Sequence, residues 1–86
     1  MAQASNVTIY TTATCAYCKA EKEFLHGRKV AYDEVSVDTD EAAAEAMIKL
    51  SGQMGVPFTV ITHGGDTPDD HIVGFDQPRI EAALGL

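Results

Sequence analysis

The sequence predicts a single α/β domain over residues 1–86, in which a four-stranded mixed sheet lies between helices in a three-layer arrangement. β-branched runs alternate with amphipathic segments in the order βαβ, then a β-hairpin, then a third helix. A right-handed crossover makes the first two strands parallel, and the hairpin adds two antiparallel strands. A chain of 86 residues buries roughly 60% of its unfolded surface, which is enough for one thin core.

The first half of the chain predicts the βαβ unit. Residues 7–11 are alternating and β-branched, as is typical of a strand. Apolar positions at helical spacing predict a helix over residues 16–26, with Gly27 as a left-handed residue at its end. Residues 30–37 are expected to form a second strand, and two acidic residues within it indicate that it is partly open to solvent.

The second helix is predicted to begin at residues 39–41, where an N-cap is followed by acidic residues, and to end at Gly52. Its buried stripe is expected to contain Ala43, Ala44, Met47, Ile48 and Leu50. Residues 58–61 form the third predicted strand and residues 71–74 a short fourth strand antiparallel to it.

The polar segment 63–70 between these strands is predicted to be a solvated hairpin loop, since it lacks the calcium-binding pattern of an EF-hand. Asp76 or Gln77 is expected to cap the last helix, which has Pro78 in its first turn and ends at Gly85.

The charge of the chain limits its possible partners. Thirteen acidic residues against six basic ones give a formal charge of −7, the wrong sign for a protein that binds nucleic acid through phosphate contacts. The chain shows neither a secretory signal pattern nor the ~20 apolar residues of a membrane span. These features predict a cytoplasmic protein that binds neither nucleic acid nor membranes.

The two cysteines, Cys15 and Cys18, form a C-x-x-C where a strand passes into a helix, which favours thiol redox chemistry in a reducing compartment. Cys15 is expected to be the nucleophile, because the helix N-terminus and the nearby Lys19 and Lys22 stabilise a thiolate. Cys18 follows within about one turn and is expected to be less exposed, so that it resolves a mixed disulfide formed on Cys15.

Two other interpretations of the cysteine pair exist. A structural zinc site would need further ligands, but the chain has no second C-x-x-C, and its three histidines lack the paired spacing. No metal ligands are therefore predicted. The second alternative is a buried and inert pair, although such a pair has no reason to begin a helix after a strand.

Three segments of the sequence resemble the glutaredoxin family, which has the thioredoxin-like fold. Cys15-Ala16-Tyr17-Cys18, preceded by Tyr10-Thr11, is similar to the family's C-P-Y-C; Val56-Pro57 is similar to its T-V-P, and Val73-Gly74-Phe75-Asp76 to its G-G-x-D. The resemblance extends from Val7 to Leu84.

The resemblance implies a cis peptide bond at Val56-Pro57 and a groove that binds glutathione next to the active thiol. Carried over to this chain, the groove would use Cys15 together with Tyr17, Gln53, Val56, Pro57, Gly74 and Asp76. Each contact also has a simpler interpretation. Tyr17 could only pack against its helix, Pro57 could only begin a strand, and Asp76 could act only as an N-cap.

The sequence also departs from the family pattern at four positions. Ala16 stands where the family has Pro, and Thr12 where it often has Lys. Gly55 replaces the Thr before Val-Pro, and Gln77 replaces a second Asp. The ending Gly74-Phe75 followed by Pro78 is similar to the NrdH-redoxins, glutaredoxin-like proteins that thioredoxin reductase reduces and that supply electrons to a ribonucleotide reductase.

The resemblance implies a monomeric dithiol thiol–disulfide oxidoreductase with no tightly bound cofactor and with glutathione as co-substrate. Its substrates would be disulfide-containing proteins or glutathione mixed disulfides, and its alternative electron source would be thioredoxin reductase. Two other possibilities are a glutathione-dependent dimer that holds an iron–sulfur cluster and a redox-inactive fold used for protein contacts.

Overall fold

The computed structural model describes residues 6–53, 55–63 and 68–85. The elements are β1 (Asn6–Thr11), α1 (Ala16–Gly27), β2 (Asp33–Ser36), α2 (Glu41–Ser51), β3 (Phe58–Thr62), β4 (Asp70–Val73) and α3 (Gln77–Leu84). This order confirms the predicted βαβ unit, hairpin and final helix. No helix within these described ranges has the length and apolar character needed to cross a membrane.

The four strands form one mixed sheet in the order β2-β1-β3-β4, with β1 parallel to β2 and antiparallel to β3. β4 is antiparallel to β3, as predicted for the hairpin. In this register Phe58, the first residue of β3, lies between Tyr10 near the end of β1 and Val73 at the end of β4. The segments that carry the three family-like motifs therefore meet at one edge of the sheet.

The main core lies on the sheet face that α1 and α3 cover. Its buried residues, each at most 3% exposed, are Val7, Ile9, Leu25, Ile61, Ile72 and Ile80. Burial of each such side chain contributes on the order of 2 kcal/mol. Phe58 and Met47 are buried outside this cluster, on the face where α2 covers the sheet. The result is the predicted three-layer, thioredoxin-like arrangement.

The end of α1 differs from the prediction. Gly27 is the last residue of the helix and is not left-handed; the positive φ, 59°, belongs to Lys29 instead. The Val30 N–H donates to the Leu25 carbonyl at 2.9 Å, so residues 28–30 complete the helix end. For this reason the second strand begins only at Asp33 and is shorter than the predicted 30–37.

The other boundaries are close to prediction. β4 occupies Asp70–Val73 rather than 71–74, because Asp70 pairs with Ile61 and Gly74 turns away with φ 80°. Leu50 was expected in the buried stripe of α2 but is 46% exposed. Residues 64–67 of the predicted loop at 63–70 lie outside the described residues, but the two side chains at its ends are joined, His63 Nε2 to Asp70 Oδ2 at 2.7 Å.

The predicted caps of α2 and α3 are confirmed. Asp40 caps α2 by accepting from the Ala43 N–H at 3.1 Å, and the helix ends at the left-handed Gly52. Asp76 caps α3, which has a proline in its first turn and ends at the left-handed Gly85. Side-chain caps supply partners for N–H groups that the first helical turn leaves free.

Candidate active site

Cys15 is the N-cap of α1. Its backbone is extended, with φ −86° and ψ 113°, and its Sγ accepts a hydrogen bond from the Cys18 N–H at 3.0 Å. An N-cap side chain normally supplies an acceptor to this part of the helix, and here the acceptor is sulfur. The half-buried Cys15 thiol therefore lies where backbone donors and the helix dipole stabilise negative charge.

Cys18 lies one turn further along α1 and is only 1% exposed. Burial, together with the hydrogen bond to Cys15, raises the pKa of the Cys18 thiol from its ordinary value to about 12. Cys18 is consequently a protonated thiol at neutral pH. The two cysteines share a helix turn but occupy very different environments.

The connection from β1 to α1 is held by a residue that the sequence did not single out. Asp38, between β2 and α2, accepts a hydrogen bond from the Ala13 N–H at 3.0 Å. Within the same connection, the Cys15 N–H points to the Thr12 carbonyl at 3.4 Å. The contact with Asp38 joins residues 25 positions apart, so it has no signature in local sequence.

The peptide bond between Val56 and Pro57 is cis, as the family resemblance implied. Pro57 is fully buried, and its carbonyl accepts from the Gly74 N–H at 2.8 Å. This hydrogen bond fastens the segment before β3 to the end of β4. Two of the predicted groove residues are thereby brought into direct contact.

Asp76 follows Gly74 at the same edge of the sheet. The Asp76 N–H donates to the Gly74 carbonyl at 3.1 Å, and Oδ1 accepts from the Arg79 N–H at 3.3 Å. The capping role of Asp76 is thus confirmed, and its place in a glutathione-binding groove stays a prediction.

The remaining predicted groove residues lie on the surface around this edge. Tyr17 is 69% exposed in the first turn of α1, which excludes it from the buried face of the helix and leaves most of its ring open. Gln53 is exposed after α2, with its side chain beside Gly55. Val56 is half-buried next to Pro57.

Glu21 is a buried polar residue that the sequence analysis did not identify. It is 0% exposed, its Oε2 accepts a hydrogen bond from the Thr59 hydroxyl, and its Oε1 has no hydrogen-bond partner. Burial raises the pKa of its carboxyl, and the hydrogen bond from Thr59 opposes that shift. A signal was present, because Glu21 falls three residues after Cys18 and four before Leu25 in the buried stripe of α1.

Across residues 6–53, 55–63 and 68–85, no three His, Cys, Asp or Glu side chains lie together in an arrangement that could hold a metal ion.

Comparison with known proteins supports the chemistry of the cysteine pair. The family model described as Glutaredoxin matches residues 7–64. Glutaredoxin 3 of Escherichia coli is 43% identical over 67 residues, which cover 76% of this chain and 81% of that protein.

Solved structures agree with the sequence match. The glutaredoxin from Methanosarcina mazei superimposes with a TM-score of 0.77 at 30% identity, covering 94% of this chain and 79% of that one. The glutaredoxin-like NrdH-redoxin from Escherichia coli gives a TM-score of 0.69 at 30% identity, with 90% and 92% covered. With its thioredoxin-like fold and its cysteine pair at the start of α1, this chain belongs to the glutaredoxin family of thiol–disulfide oxidoreductases.

Proposed function

We propose that the protein is a dithiol reductase in which Cys15 attacks the disulfide of a substrate and Cys18 completes the reduction. The Cys15 thiolate forms a bond to one substrate sulfur, and the other sulfur leaves as a thiolate. The Cys18 sulfur then attacks Cys15, which closes an internal disulfide and releases the second substrate thiolate. Two electrons pass to the substrate, and an external dithiol or two glutathione thiols return them.

The observation that carries this proposal is the contrast between the two thiols. The Cys15 sulfur accepts the Cys18 N–H at 3.0 Å at a helix start, where a thiolate is stabilised. The Cys18 thiol is buried directly behind it and is held in its protonated form. The Cys15 sulfur is therefore suited to attack the disulfide of a substrate, and the buried Cys18 sulfur is suited to attack the mixed disulfide formed on Cys15.

We propose glutathione as the reductant, bound in a groove made by Tyr17, Gln53, Val56, Pro57, Gly74 and Asp76. Two features support this groove. The ring of Tyr17 is exposed and available to contact a ligand, and the hydrogen bond from the Gly74 N–H to the Pro57 carbonyl fixes these two groove residues relative to each other. The substrates would be protein disulfides or glutathione mixed disulfides in the cytoplasm, and residues 1–86 would act as one domain.

A second reductant, thioredoxin reductase, is favoured by the residues that line the same region. Thr12 and Gly55 stand where the family often has Lys and Thr, so two side-chain contacts to glutathione are missing. The NrdH-redoxin of similar structure is described as having a thioredoxin-like activity profile. If this chain works in the same way, a ribonucleotide reductase is a candidate acceptor of its electrons.

Substitution of the two cysteines tests the division of roles. We expect Cys15→Ser to lose disulfide reduction entirely, because no other described thiol occupies a helix start. Cys18→Ser, the matched control, should still form a mixed disulfide through Cys15 and accumulate it, as mass spectrometry of acid-quenched samples would show. Full activity in Cys15→Ser would refute the proposal.

The reductant is tested by following NADPH consumption during reduction of a small disulfide, once with glutathione and glutathione reductase and once with thioredoxin reductase. Turnover with glutathione alone is the expected result. Turnover with thioredoxin reductase alone would contradict the glutathione groove and assign the chain to the NrdH-like mode of action.

A further inference from the structure

Glu21 lies in the part of the core that faces the resolving cysteine. The buried residues of α1 are Cys18, Glu21 and Leu25, which form one stripe along the helix. Side chains three positions apart on a helix are neighbours, with Cβ atoms roughly 5–6 Å apart. Glu21 is therefore the next side chain of α1 beneath Cys18 on the face that covers the sheet.

The Glu21 carboxyl is incompletely satisfied. Thr59 of β3 donates to Oε2, but Oε1 is buried without a hydrogen-bond partner. A buried oxygen without a hydrogen bond lowers the stability of the fold, and such atoms are rare in native proteins. The presence of one in Glu21 therefore requires an explanation. A role in the chemistry of the adjacent thiol is one such explanation.

Among the described residues, no Lys, Arg or His forms an ion pair with this carboxyl. Lys22, the next residue on α1, instead pairs with Glu34 of β2 at 2.8 Å. The residues that β1 and α3 contribute to this core are apolar, Ile9 and Ile80, and β3 contributes the uncharged hydroxyl of Thr59. Electrostatic interaction links the Cys18 thiol to Glu21, and also to Cys15 and Lys22.

The resolving step needs a proton acceptor. Because Cys18 is a thiol at neutral pH, its sulfur cannot attack as a preformed thiolate, and its proton must leave as the new sulfur–sulfur bond forms. Cys18 is 1% exposed, so bulk water has little access to that proton. A carboxylate with a free oxygen beside the thiol supplies an acceptor inside the core.

We propose that Glu21 is the proton acceptor for Cys18 when Cys18 attacks the mixed disulfide on Cys15. This proposal rests on the dithiol function proposed above. The Cys18 sulfur bonds to the Cys15 sulfur, the bond from Cys15 to the substrate sulfur breaks, and the substrate leaves as a thiolate with the electron pair of that bond. The Cys18 proton passes to Oε1 of Glu21, directly or through one water. When the internal disulfide is later reduced, Glu21 returns the proton to Cys18.

The test separates the two chemical steps in single-turnover experiments on the full chain. Reduced protein is mixed with a glutathionylated peptide, quenched with acid at intervals and analysed by mass for the mixed disulfide and the internal disulfide. Glu21→Gln keeps the shape and an oxygen for Thr59 but removes the proton acceptor. Glu23→Gln, which changes an exposed glutamate two residues away, is the matched control.

We expect Glu21→Gln to slow the second step by about 10²-fold at neutral pH, the usual size of a general-base contribution. Formation of the mixed disulfide should stay within about twofold of wild type, because Cys15 attacks without Glu21. Glu23→Gln should leave both steps unchanged. A second step in Glu21→Gln as fast as in the control, or equal slowing of both steps, would overturn the inference.

The pH dependence of the second step provides a readout that does not depend on the stability of a variant. In wild type the rate should rise as Glu21 ionises and then level off, whereas in Glu21→Gln it should rise continuously toward the pKa of Cys18. If Glu21→Gln does not fold, a wild-type profile without the plateau refutes the role of Glu21. Absence of a mixed disulfide in Cys18→Ser, in which the second step cannot occur, refutes the proposed function instead, and the inference with it.

Discussion

At the scale of single residues, two cysteines with identical chemistry differ because their surroundings differ. Cys15 caps the helix at the surface, and Cys18 is buried three residues later. The sequence predicted this asymmetry, because Cys15 lies at a helix start and Cys18 follows it within about one turn. It did not predict the size of the effect on Cys18, because desolvation depends on every atom packed around the sulfur.

Glu21 should make the stability of the protein depend on pH in a defined direction. Burial raises its folded-state pKa above the ordinary value of 4.5, so as the pH rises the unfolded chain loses its proton first. The stability contributed by the protonated carboxyl is present below that ordinary value and is lost as the pH rises through the folded-state pKa. Relative to Glu21→Gln, the unfolding free energy of wild type should therefore fall as the pH rises above the ordinary value of 4.5, and should level off once Glu21 is ionised in the folded protein.

Urea unfolding at several pH values would measure this difference. Glu23→Gln again serves as the control, since an exposed carboxyl should give a curve parallel to that of wild type. If Glu21→Gln also runs parallel to wild type, Glu21 is not desolvated in the folded protein.

At the scale of elements, each helix begins at a residue whose side chain accepts a backbone N–H. These residues are Cys15, Asp40 and Asp76, and two of them lie at the candidate site. Caps are local signals, which is why the sequence located all three helix starts. The end of α1 differs from the prediction because its last hydrogen bonds involve residues 28–30, the last of which is the first residue of the predicted second strand.

The two roles considered for Asp76 can be separated by substitution. Asp76→Ala removes the cap and should lower the unfolding free energy by about 1 kcal/mol. Asp76→Asn keeps the cap and should change stability by less than about 0.5 kcal/mol, because Asn and Asp cap equally well. If the carboxylate also binds the glutathione amino group, Asp76→Asn should raise the KM for a glutathione mixed disulfide roughly tenfold.

Thermal unfolding and steady-state kinetics on the same samples would measure both effects. Asp40→Ala is the control, since it removes the cap of α2 at a residue that is not among the predicted groove residues, and should lower stability without changing KM. An unchanged KM in Asp76→Asn would limit Asp76 to its capping role.

At the scale of the whole molecule, the sheet brings the site together. The end of β1, the start of β3 and the end of β4 meet at one edge, so segments more than 60 residues apart in the chain become neighbours. Helices cover both faces of the sheet, and the loops at this end carry the predicted groove residues. The site therefore needs the complete fold, although its chemistry needs only two thiols.

The assembly state distinguishes a redox carrier from a cluster-binding protein. We expect the chain, purified without oxygen, to be a colourless monomer, because the proposed reaction uses free thiols and one copy of the groove. Size-exclusion chromatography with absorbance detection measures both properties at once. A coloured dimer that loses its colour in Cys15→Ser would support the iron–sulfur alternative and contradict the dithiol proposal.

The sequence by itself determined the order of the elements, the helix starts and the cysteine pair, because periodicity, capping and the C-x-x-C motif are encoded within a few neighbouring residues. Only the tertiary structure decided that Glu21 is buried against Thr59, that Asp38 holds the Cys15 loop and that Gly74 binds the Pro57 carbonyl. Each of these contacts joins residues far apart in the chain. Whether a charged side chain is solvated or buried depends on what packs against it, and local sequence does not specify that partner.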